Sequence, residues 1–347
     1  MTQQERVKFR TKELAIILSH YDLGEIREIH SFRRGNIHSP KSIINCVKGK
    51  YLLKRHGGGR DNAQQTQLKM ELHQFLEKKG FCLPRLVPTR RGDTGVVEME
   101  GNIYELFDYV EGDSYDGSVE ATAAAGRCLR ELHEMLADFR PSLSLSEQTY
   151  HNSEAVRRGL KRIFPGISKH DSVMGMEPQL QVLRAELSDA YNEAAERAEQ
   201  AGYSQLNSAI GHGDWHPGNM SFLNGKITGV FDFDTIKKMP VYGDVANGCL
   251  QFSLIAVGKD PVNWPDHMDT ERARFFLRAY EPETRWERKS LELIVSLMIE
   301  AMIAEAIGPI VATGMFAHIP GFRFLRMIAR KIAWLEENGV VQLEKEG

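Results

Sequence analysis

The chain has 347 residues, with 44 Lys and Arg against 47 Asp and Glu, and 42% of its residues are hydrophobic. This length exceeds what a single hydrophobic core usually supports, so we expect two lobes. A net charge of −3 excludes the strong basic excess of a dedicated nucleic-acid binder, and a charged fraction of 26% beside this many apolar residues excludes a disordered chain.

The first part of the chain predicts an antiparallel sheet with one long helix. The predicted elements are a helix over 11–20, strands over 43–47 and 51–54, a helix over 62–79, and strands over 95–99 and 103–110. Apolar runs on either side of residues 48–50 indicate a β-hairpin. In the long helix, Leu68, Leu72 and Leu76 recur at helical spacing and form one apolar stripe, which Gly80 ends.

After the segment 105–112, which we interpret as a hinge, the pattern becomes mainly helical. The predicted elements are helices over 119–139, 178–200, 271–280, 287–307 and 322–338, and a β-hairpin over 220–223 and 226–232. Asn224-Gly225 between two apolar runs is the strongest short-range signal for a hairpin. The sequence therefore predicts an α+β chain, with an antiparallel-sheet N-terminal lobe over 1–110 and a mainly helical C-terminal lobe over 111–347.

The most apolar stretch, residues 291–316, contains Glu300 and Glu305. Two carboxylates at bilayer depth would cost about 5–7 kcal/mol, so we interpret the stretch as a buried helix that Gly308-Pro309 ends. The four cysteines form no C-x-x-C pair, which predicts neither a zinc site nor a disulfide framework. The first ten residues lack the apolar core of a secretory signal, so we expect a cytoplasmic protein with no membrane partner.

One group of residues carries the chemical signal: IGHGDWHPGN at 210–219, followed after the hairpin by VFDFD at 230–234. An Asp on a rigid loop, such as Asp214, can accept the proton of an attacking hydroxyl group. The amide oxygen of Asn219 and the carboxylate of Asp232 are hard oxygen ligands of the kind that hold Mg²⁺ against ATP phosphates. The hairpin returns residue 232 toward residue 219, so this spacing favours phosphoryl transfer.

The motif resembles the catalytic region of the aminoglycoside phosphotransferase / choline kinase superfamily, which is related to protein kinases. HGDWHPGN is similar to its H-G-D-x-H-x-x-N signature, and VFDFD is similar to its hydrophobic-D-x-D/E metal motif. The resemblance implies a bilobal, protein-kinase-like fold that uses ATP and Mg²⁺. It also implies that Asp214 is the catalytic base, that Asn219 and Asp232 are metal ligands, and that Asp244 braces the catalytic loop.

Two further residues of the motif are expected to support the site. We expect the ring of His212 to hold the catalytic loop in place. Asp234 faces the same side as Asp232 if the strand continues beyond residue 230, because side chains two residues apart share a face of a strand. Asp234 is then a second acid within reach of the metal.

The nucleotide half of the site is expected in the N-terminal lobe. Lys54 ends an apolar strand, from which its ammonium group would point toward the α- and β-phosphates. Glu71 lies 17 residues later on the long helix, at a separation that resembles the Lys–Glu pair of protein kinases, in which the acid orients the lysine. Glu77, or no acid at all, is the alternative.

Two other segments are candidates for nucleotide contacts. Residues 31–39 lie where a phosphate-covering turn would fall, although Gly35 is their only glycine. Arg34, Asn36 or Ser39 could contact phosphate there. The alternative is that the segment is an ordinary basic turn. In the hinge, backbone groups at Phe107, Asp108 and Tyr109 are expected to bind adenine. The alternative is a strand followed by a plain linker.

We therefore predict an ATP- and Mg²⁺-dependent phosphotransferase that acts on a hydroxyl group of a small polar metabolite or antibiotic. The acceptor stays open among aminoglycosides, sugars and amino alcohols such as homoserine or choline. The run YDLGEIREI at 21–29 and the length of the chain also resemble the bacterial homoserine kinase branch. Glu300 and Glu305 either bind a cationic amine or are partnered by Arg323, Arg326 or Arg330.

The alternative function is that of a non-catalytic, nucleotide-binding pseudokinase or scaffold. The joint presence of Lys54, Asp214, Asn219 and Asp232 favours the enzyme, since a pseudoenzyme has no chemical need for all four. Protein kinase activity is disfavoured because the D-F-G and A-P-E sequences are missing. No nucleic-acid partner is expected, and a homodimer is left open.

Overall fold

The structure is a computed structural model, and it describes residues 8–32, 39–56, 63–92, 95–169, 175–283 and 285–345. Within them the helices are α1 (Thr11–Ser19), α2 (Ala63–Lys79), α3 (Val119–Leu136), α4 (Glu154–Lys161), α5 (Ile163–Ile167), α6 (Glu177–Gln200), α7 (Tyr242–Ser253), α8 (Thr270–Tyr280), α9 (Arg288–Thr313) and α10 (Gly321–Glu344). The strands are β1 (Ile26–Phe32), β2 (Lys41–Cys46), β3 (Gly49–His56), β4 (Val96–Met99), β5 (Asn102–Asp108), β6 (Ala209–Gly211), β7 (Met220–Leu223), β8 (Lys226–Val230), β9 (Lys237–Met239), β10 (Met315–Phe316) and β11 (Ile319–Pro320).

The chain divides into two compact units. The sheet unit comprises Met1–Tyr115, Asp138–Ser144 and Gly218–Asp234. The helical unit comprises Asp116–Ala137, Leu145–Pro217 and Thr235–Gly347. The late hairpin β7–β8 therefore belongs to the same compact unit as the first 115 residues, while the expected lobe boundary between residues 110 and 111 stays a prediction.

The sheet unit contains an antiparallel sheet of strand order β1-β2-β3-β5-β4. Successive side chains of a strand point to opposite faces of the sheet, so each strand contributes residues to two different environments. On one face Leu53 and Leu106 are buried with Ile17 of α1 in an apolar core. On the other face Leu52 and Lys54 line a cavity. The pleat of β3 thus brings a lysine to the cavity from a strand whose alternate residues are anchored in the core.

In the helical unit, α9 is the central helix and packs against α6, α7 and α10. Its residues from Leu293 to Ile303 are buried without interruption. It has the length and apolar composition of a membrane span, and 72% of its most apolar 18-residue window is buried inside the protein. That burial is typical of a core helix, in agreement with the interpretation from the sequence.

The expected end of α9 at Gly308-Pro309 is wrong, because the helix continues to Thr313. A proline inside a helix removes one backbone donor. Here the hydroxyl of Thr313 donates to the carbonyl of Pro309 at 2.9 Å, and packing on several sides holds the helix together. Gly314, at a φ of +80°, ends the helix instead.

Candidate active site

A cavity in the sheet unit collects most of the residues expected to bind a nucleotide. It is lined by residues of β3, β5 and α2 and of the segments that follow β5 and flank the β7–β8 hairpin, among them Leu52, Lys54, Lys69, Met70, His73, Glu105, Phe107, Tyr109, Asn219, Phe231, Asp232 and Asp234. Apolar groups such as Leu52 and Phe107 make up one part of this lining, and charged groups make up another. A cavity with both kinds of wall fits a ligand that has a flat apolar end and an anionic end.

Lys54 is buried in this cavity between two carboxylates. Its Nζ lies 3.0 Å from Asp232 Oδ1 and 2.9 Å from Asp234 Oδ2, and the residue is only 9% exposed. Burial alone would lower the pKa of Lys54, but the charges of Asp234 and Asp232 outweigh it and hold that pKa above its ordinary value. The lysine therefore stays charged in spite of its burial.

The backbone after β8 explains how both acids reach Lys54. β8 ends at Val230, so the strand does not continue as far as Asp234. Asp232 instead adopts a φ of +63°, in the left-handed region that Asp and Asn tolerate better than most residues. The amide of Phe231 donates to the carbonyl of Asn219 at 2.8 Å, which ties the two ends of the hairpin together. A turn, and not strand alternation, places the two acids on one lysine.

Glu71 is not the partner of Lys54. Its carboxylate accepts a hydrogen bond from the Ser142 amide at 3.0 Å and another from the Ser142 hydroxyl. At 100° per residue, Glu71 lies on the opposite side of α2 from Lys69, which lines the cavity. Glu77, the alternative, is exposed. The expected Lys54–Glu71 pair is therefore wrong, because α2 presents a different face to the cavity.

The face that α2 does present carries Lys69, which no sequence motif singles out. Its Nζ lies 3.2 Å from Asp234 Oδ1. Burial would raise the pKa of Asp234, but Lys54 and Lys69 together hold it well below its ordinary value. In place of an acid, α2 thus contributes a second cation to this end of the cavity.

Two histidines lie in the same region. His56 Nε2 is 2.5 Å from Glu105 Oε2. Burial would raise the pKa of Glu105, but His56 and Lys54 outweigh it and lower that pKa. Burial lowers the pKa of His73 to about 4, so this imidazole is neutral at physiological pH. Its ring centroid lies 5.6 Å from that of Phe107. His73 therefore belongs to the apolar part of the lining.

Phe107 and Tyr109 of the hinge segment line the cavity, and their role in binding adenine stays a prediction. Two of its amides are already engaged, since Asp108 N donates to Arg85 O and Tyr109 N donates to Lys50 O, both at 2.9 Å. These two amides are therefore not available to a nucleobase in this structure. Gly35, like Arg34 and Asn36, lies outside the described residues.

In the helical unit, Asp244 braces the loop that carries Asp214. Asp244 is fully buried and accepts hydrogen bonds from His212 N at 2.6 Å and Gly213 N at 2.8 Å. His133 Nε2 lies 3.1 Å from the same carboxylate. Burial would raise the pKa of Asp244, but these partners outweigh it and lower that pKa. His133 and Asp244 lie 111 residues apart in the chain, so no local sequence pattern indicates this contact.

The rest of the loop leaves Asp214 accessible. The ring of His212 is buried against Trp215, edge to face at 5.4 Å. Gly213 has a φ of +79°, and a Cβ there would lie 2.4 Å from the carbonyl oxygen of Thr235, so only glycine fits. The side chain of Asp214 is 38% exposed, with His216 Nε2 at 3.4 Å. A fixed backbone thus presents a reachable carboxylate.

Replacing Asp244 with Asn is expected to lower the free energy of unfolding by about 1–3 kcal/mol, because one amide donor would then face another in a buried site. Since the pKa of Asp244 is lowered by folding, its stabilising contribution is present above the ordinary Asp pKa and is lost as the pH falls through the lowered value. Urea unfolding at neutral and at acidic pH measures the free energy of unfolding of both proteins. The difference in this free energy between Asp244→Asn and the wild type should become smaller in acid.

The matched control is Glu134→Gln, which removes an exposed acid from an i,i+4 pair with Arg130. This change should alter the unfolding free energy by less than about 0.5 kcal/mol. Equal losses in the two variants would show that Asp244 does not brace the loop.

Glu300 and Glu305 of α9 have different surroundings, and neither is partnered by the arginines considered from the sequence. Glu300 accepts from the Asn152 amide at 2.8 Å, and His151 Nδ1 lies 2.8 Å from its other oxygen. Glu305 accepts from Asn247 Nδ2 at 2.5 Å and from Gln251 Nε2 at 2.6 Å. Two of the arginines bind other acids, since Arg323 pairs with Asp260 and Arg330 pairs with Asp266.

The cavity offers oxygen ligands suited to a magnesium ion that is also held by phosphates. Asn219, Asp232 and Asp234 all contribute to its lining. In the described part of the chain, no group of three or more His, Cys, Asp or Glu side chains is arranged to hold a metal by itself. Mg²⁺ is commonly held by one or two carboxylates together with substrate phosphates, so these donors fit it in the presence of a nucleotide.

The chain is similar in sequence to several known proteins. A model of the Phosphotransferase enzyme family matches residues 31–289. A homoserine kinase of Xanthobacter autotrophicus is 27% identical over 231 residues, which cover 64% of this chain and 63% of that protein, less than two thirds of its length. A second homoserine kinase, from Chelativorans sp., is 23% identical over 227 residues, which cover the same shares.

Solved structures show the same fold. A microcompartment-associated aminopropanol kinase superposes with a TM-score of 0.70 at 14% identity, over 97% of this chain and 99% of that chain. An amicoumacin kinase in complex with AMP-PNP and Ca²⁺ superposes with a TM-score of 0.66 at 13% identity, over 96% of this chain and 95% of that chain. The α+β, bilobal protein-kinase-like fold class predicted from the sequence is thereby confirmed.

Proposed function

The chain belongs to the phosphotransferase enzyme family, as its motif predicts, and we propose that it transfers the γ-phosphate of ATP to a hydroxyl group of a small polar molecule. The observation that carries this proposal is the buried ammonium group of Lys54, held at 3.0 and 2.9 Å between two acids in a cavity that also has an apolar wall. The acceptor stays open among aminoglycosides, sugars and amino alcohols such as homoserine or choline, and the homoserine kinases and the aminopropanol kinase among the similar proteins support the amino alcohols.

The lysines of the cavity are proposed to bind the phosphate groups. Lys54 is charged and positioned by Asp232 and Asp234, and Lys69 adds a second cation 3.2 Å from Asp234. Phosphoryl transfer depends chiefly on positioning and on neutralising phosphate charge. The apolar lining, including Leu52 and Phe107, is proposed to take the nucleobase.

Asn219 and Asp232 are proposed to hold Mg²⁺, with Asp234 as a further oxygen donor. A bound magnesium ion would neutralise phosphate charge and fix the phosphates in one geometry. Both acids lie within ion-pair distance of Lys54 and line the cavity, so their carboxylate oxygens are at hand for a cation bound there together with phosphate. We assign the role of base to Asp214, which would accept the proton of the attacking hydroxyl group.

Replacing Lys69 with Met is expected to weaken binding of ATP and ADP by about 10-fold and to leave adenosine binding unchanged, because the lost cation would face phosphate and not the nucleobase. Lys69→Arg should restore much of the affinity. Calorimetric titration of all three ligands measures this. Lys78→Met, an exposed change on the same helix, is the control, and an equal loss for adenosine would contradict the role of Lys69.

The function itself is tested by incubating the protein with Mg·ATP and a panel of aminoglycosides, amino alcohols and sugars. We expect ADP release that depends on one of these acceptors. If ATP binds but no acceptor class promotes ADP release, the alternative of a non-catalytic nucleotide-binding protein is favoured.

A further inference from the structure

A second cavity lies within the helical unit, between α6, α9 and α10, and we call it the three-helix cavity. Its volume is about 610 Å³. Sites for small molecules typically have volumes of about 300–1,000 Å³, so this cavity is large enough for a ligand. The described residues that line it include none of those that line the cavity of the sheet unit, and none of the loop 210–219. The three-helix cavity is therefore a separate feature of the molecule.

The inner wall of the three-helix cavity is apolar. It is formed by Val295 and Ile299 of α9 and by Leu335 of α10, all of them buried. Ser296 lies among them, but its hydroxyl already donates to the carbonyl of Glu292 at 2.8 Å. The inner wall therefore favours contact with the apolar body of a ligand.

The rim of the same cavity is charged, and most of its charges are paired. Arg197 lies 3.0 Å from a carboxylate oxygen of Glu336. Arg288 lies 3.1 Å from a carboxylate oxygen of Glu292. Lys289 also lines the cavity, and among the residues that the structure describes no carboxylate lies within ion-pair distance of its ammonium group. The rim thus has one cation more than its acids offset.

The position of Lys289 in α9 is not explained by the stability of that helix. Lys289 is the second residue of α9, directly after Arg288, and the first turn of the helix contains no acid. Because the first turn is the positive end of the helix dipole, cations are unfavourable there. An anion in the cavity would offset this local excess of positive charge.

The ammonium group of Lys289 reaches across the cavity from α9 to the end of α6. A Cβ placed on Gly202, which follows α6, would lie 3.7 Å from Lys289 Nζ. Ala201, the neighbour of Gly202, is itself part of the cavity lining. The cation therefore lies beside the apolar lining and can bind the charged end of a molecule whose apolar part rests on the inner wall.

We propose that the three-helix cavity binds a small amphipathic carboxylate, with its apolar body on the inner wall and its carboxylate on Lys289. One cation in excess matches one negative charge. A phosphate monoester carries a charge of about −1.5 to −2 at pH 7, and the remainder would be repelled by Glu292 and Glu336. A cationic ligand would be repelled by Lys289. This site is distinct from the proposed phosphotransfer site, and the inference does not depend on that function.

Four probes that share one apolar body test the proposal: 4-phenylbutanoate, the neutral 4-phenylbutanamide, the cationic 4-phenylbutylamine and 4-phenylbutyl phosphate. In titrations of the full chain followed by NMR, we expect the carboxylate to bind at least about 10-fold more tightly than each of the other three. Lys289→Met should remove the preference for the carboxylate over the amide and leave amide binding unchanged. Lys259→Met, which removes an exposed lysine outside the cavity lining, is the matched control and should behave as the wild type.

A second variant locates the bound probe. Ala201 is half-buried and lines the cavity, so Ala201→Phe would place a ring inside it and should abolish binding of 4-phenylbutanoate. Thermal unfolding checks that this variant is folded. Lys289 is exposed, so its replacement tests the proposal even if Ala201→Phe does not fold.

Four results would overturn the proposal. The first is a wild-type protein that binds none of the probes, and the second is equal affinity for the carboxylate and the amide. The third is tighter binding of the amine or the phosphate than of the carboxylate. The fourth is carboxylate binding that Lys289→Met leaves intact, which would place the probe elsewhere on the molecule. None of these results bears on phosphotransfer, so the two proposals stand or fall separately.

Discussion

Replacing Asp214 with Asn is expected to lower kcat by about 10²- to 10⁴-fold, the range for the loss of a general base. Asn has nearly the same shape as Asp but cannot accept the proton of the attacking hydroxyl group. The loop is held by Asp244 through two backbone amides, and Asp214 contributes neither of those contacts. We therefore expect the fold and the affinity for ATP to change little.

Steady-state kinetics measure the expected loss of kcat, and calorimetric titration measures the ATP affinity, which is expected to change little. Thermal unfolding of the variant checks that the loop is intact. His216→Asn is an informative comparison, because it changes the neighbour 3.4 Å from Asp214 and keeps the carboxylate. Turnover by Asp214→Asn near the wild-type rate would mean that another group acts as the base.

Replacing Asp232 with Asn is expected to weaken Mg²⁺-dependent binding of ATP by about 10- to 100-fold, since the charged ligand is lost. Asn is the appropriate replacement because it tolerates the φ of +63° at this position, whereas Ala would add backbone strain to the measured effect. Binding of ATP in the absence of Mg²⁺ should change much less, since Asp234 still positions Lys54.

Calorimetric titration of ATP with and without Mg²⁺ separates these contributions. The matched control is Asp108→Asn, which removes an acid from the lining of the same cavity where it pairs with Arg85. That control should keep the wild-type dependence on Mg²⁺. An Asp232→Asn protein whose ATP affinity responds to Mg²⁺ as the wild type does would exclude Asp232 as a metal ligand.

Local rules predicted the elements on which the site is built. The turn at Asn224-Gly225 fixes the β7–β8 hairpin within a few residues, and so brings Asn219 and Asp232 into one unit. The period of two along β3 likewise places Lys54 on the opposite face from the core residue Leu53. Both features depend on chain segments of about ten residues, which a sequence determines directly.

Other features depend on packing that the sequence does not display. The apolar stripe of α2 was predicted, but Lys69 and Glu71 both flank it, and only the surrounding structure decides which of them faces the cavity. The continuation of α9 past Pro309 depends on the helices that surround it. The brace at Asp244 joins groups more than 30 residues apart in the chain, so no local pattern gives its geometry.

The most direct test of the account is transfer of label from γ-³²P-ATP to the acceptor panel by the wild type and by Asp214→Asn, with ATP binding to both proteins measured in parallel. We predict that wild type yields a phosphorylated acceptor carrying the label. We predict that Asp214→Asn binds ATP equally well and yields at least 100-fold less product per unit time. A wild-type protein that binds Mg·ATP and labels no acceptor would contradict the proposed phosphotransfer.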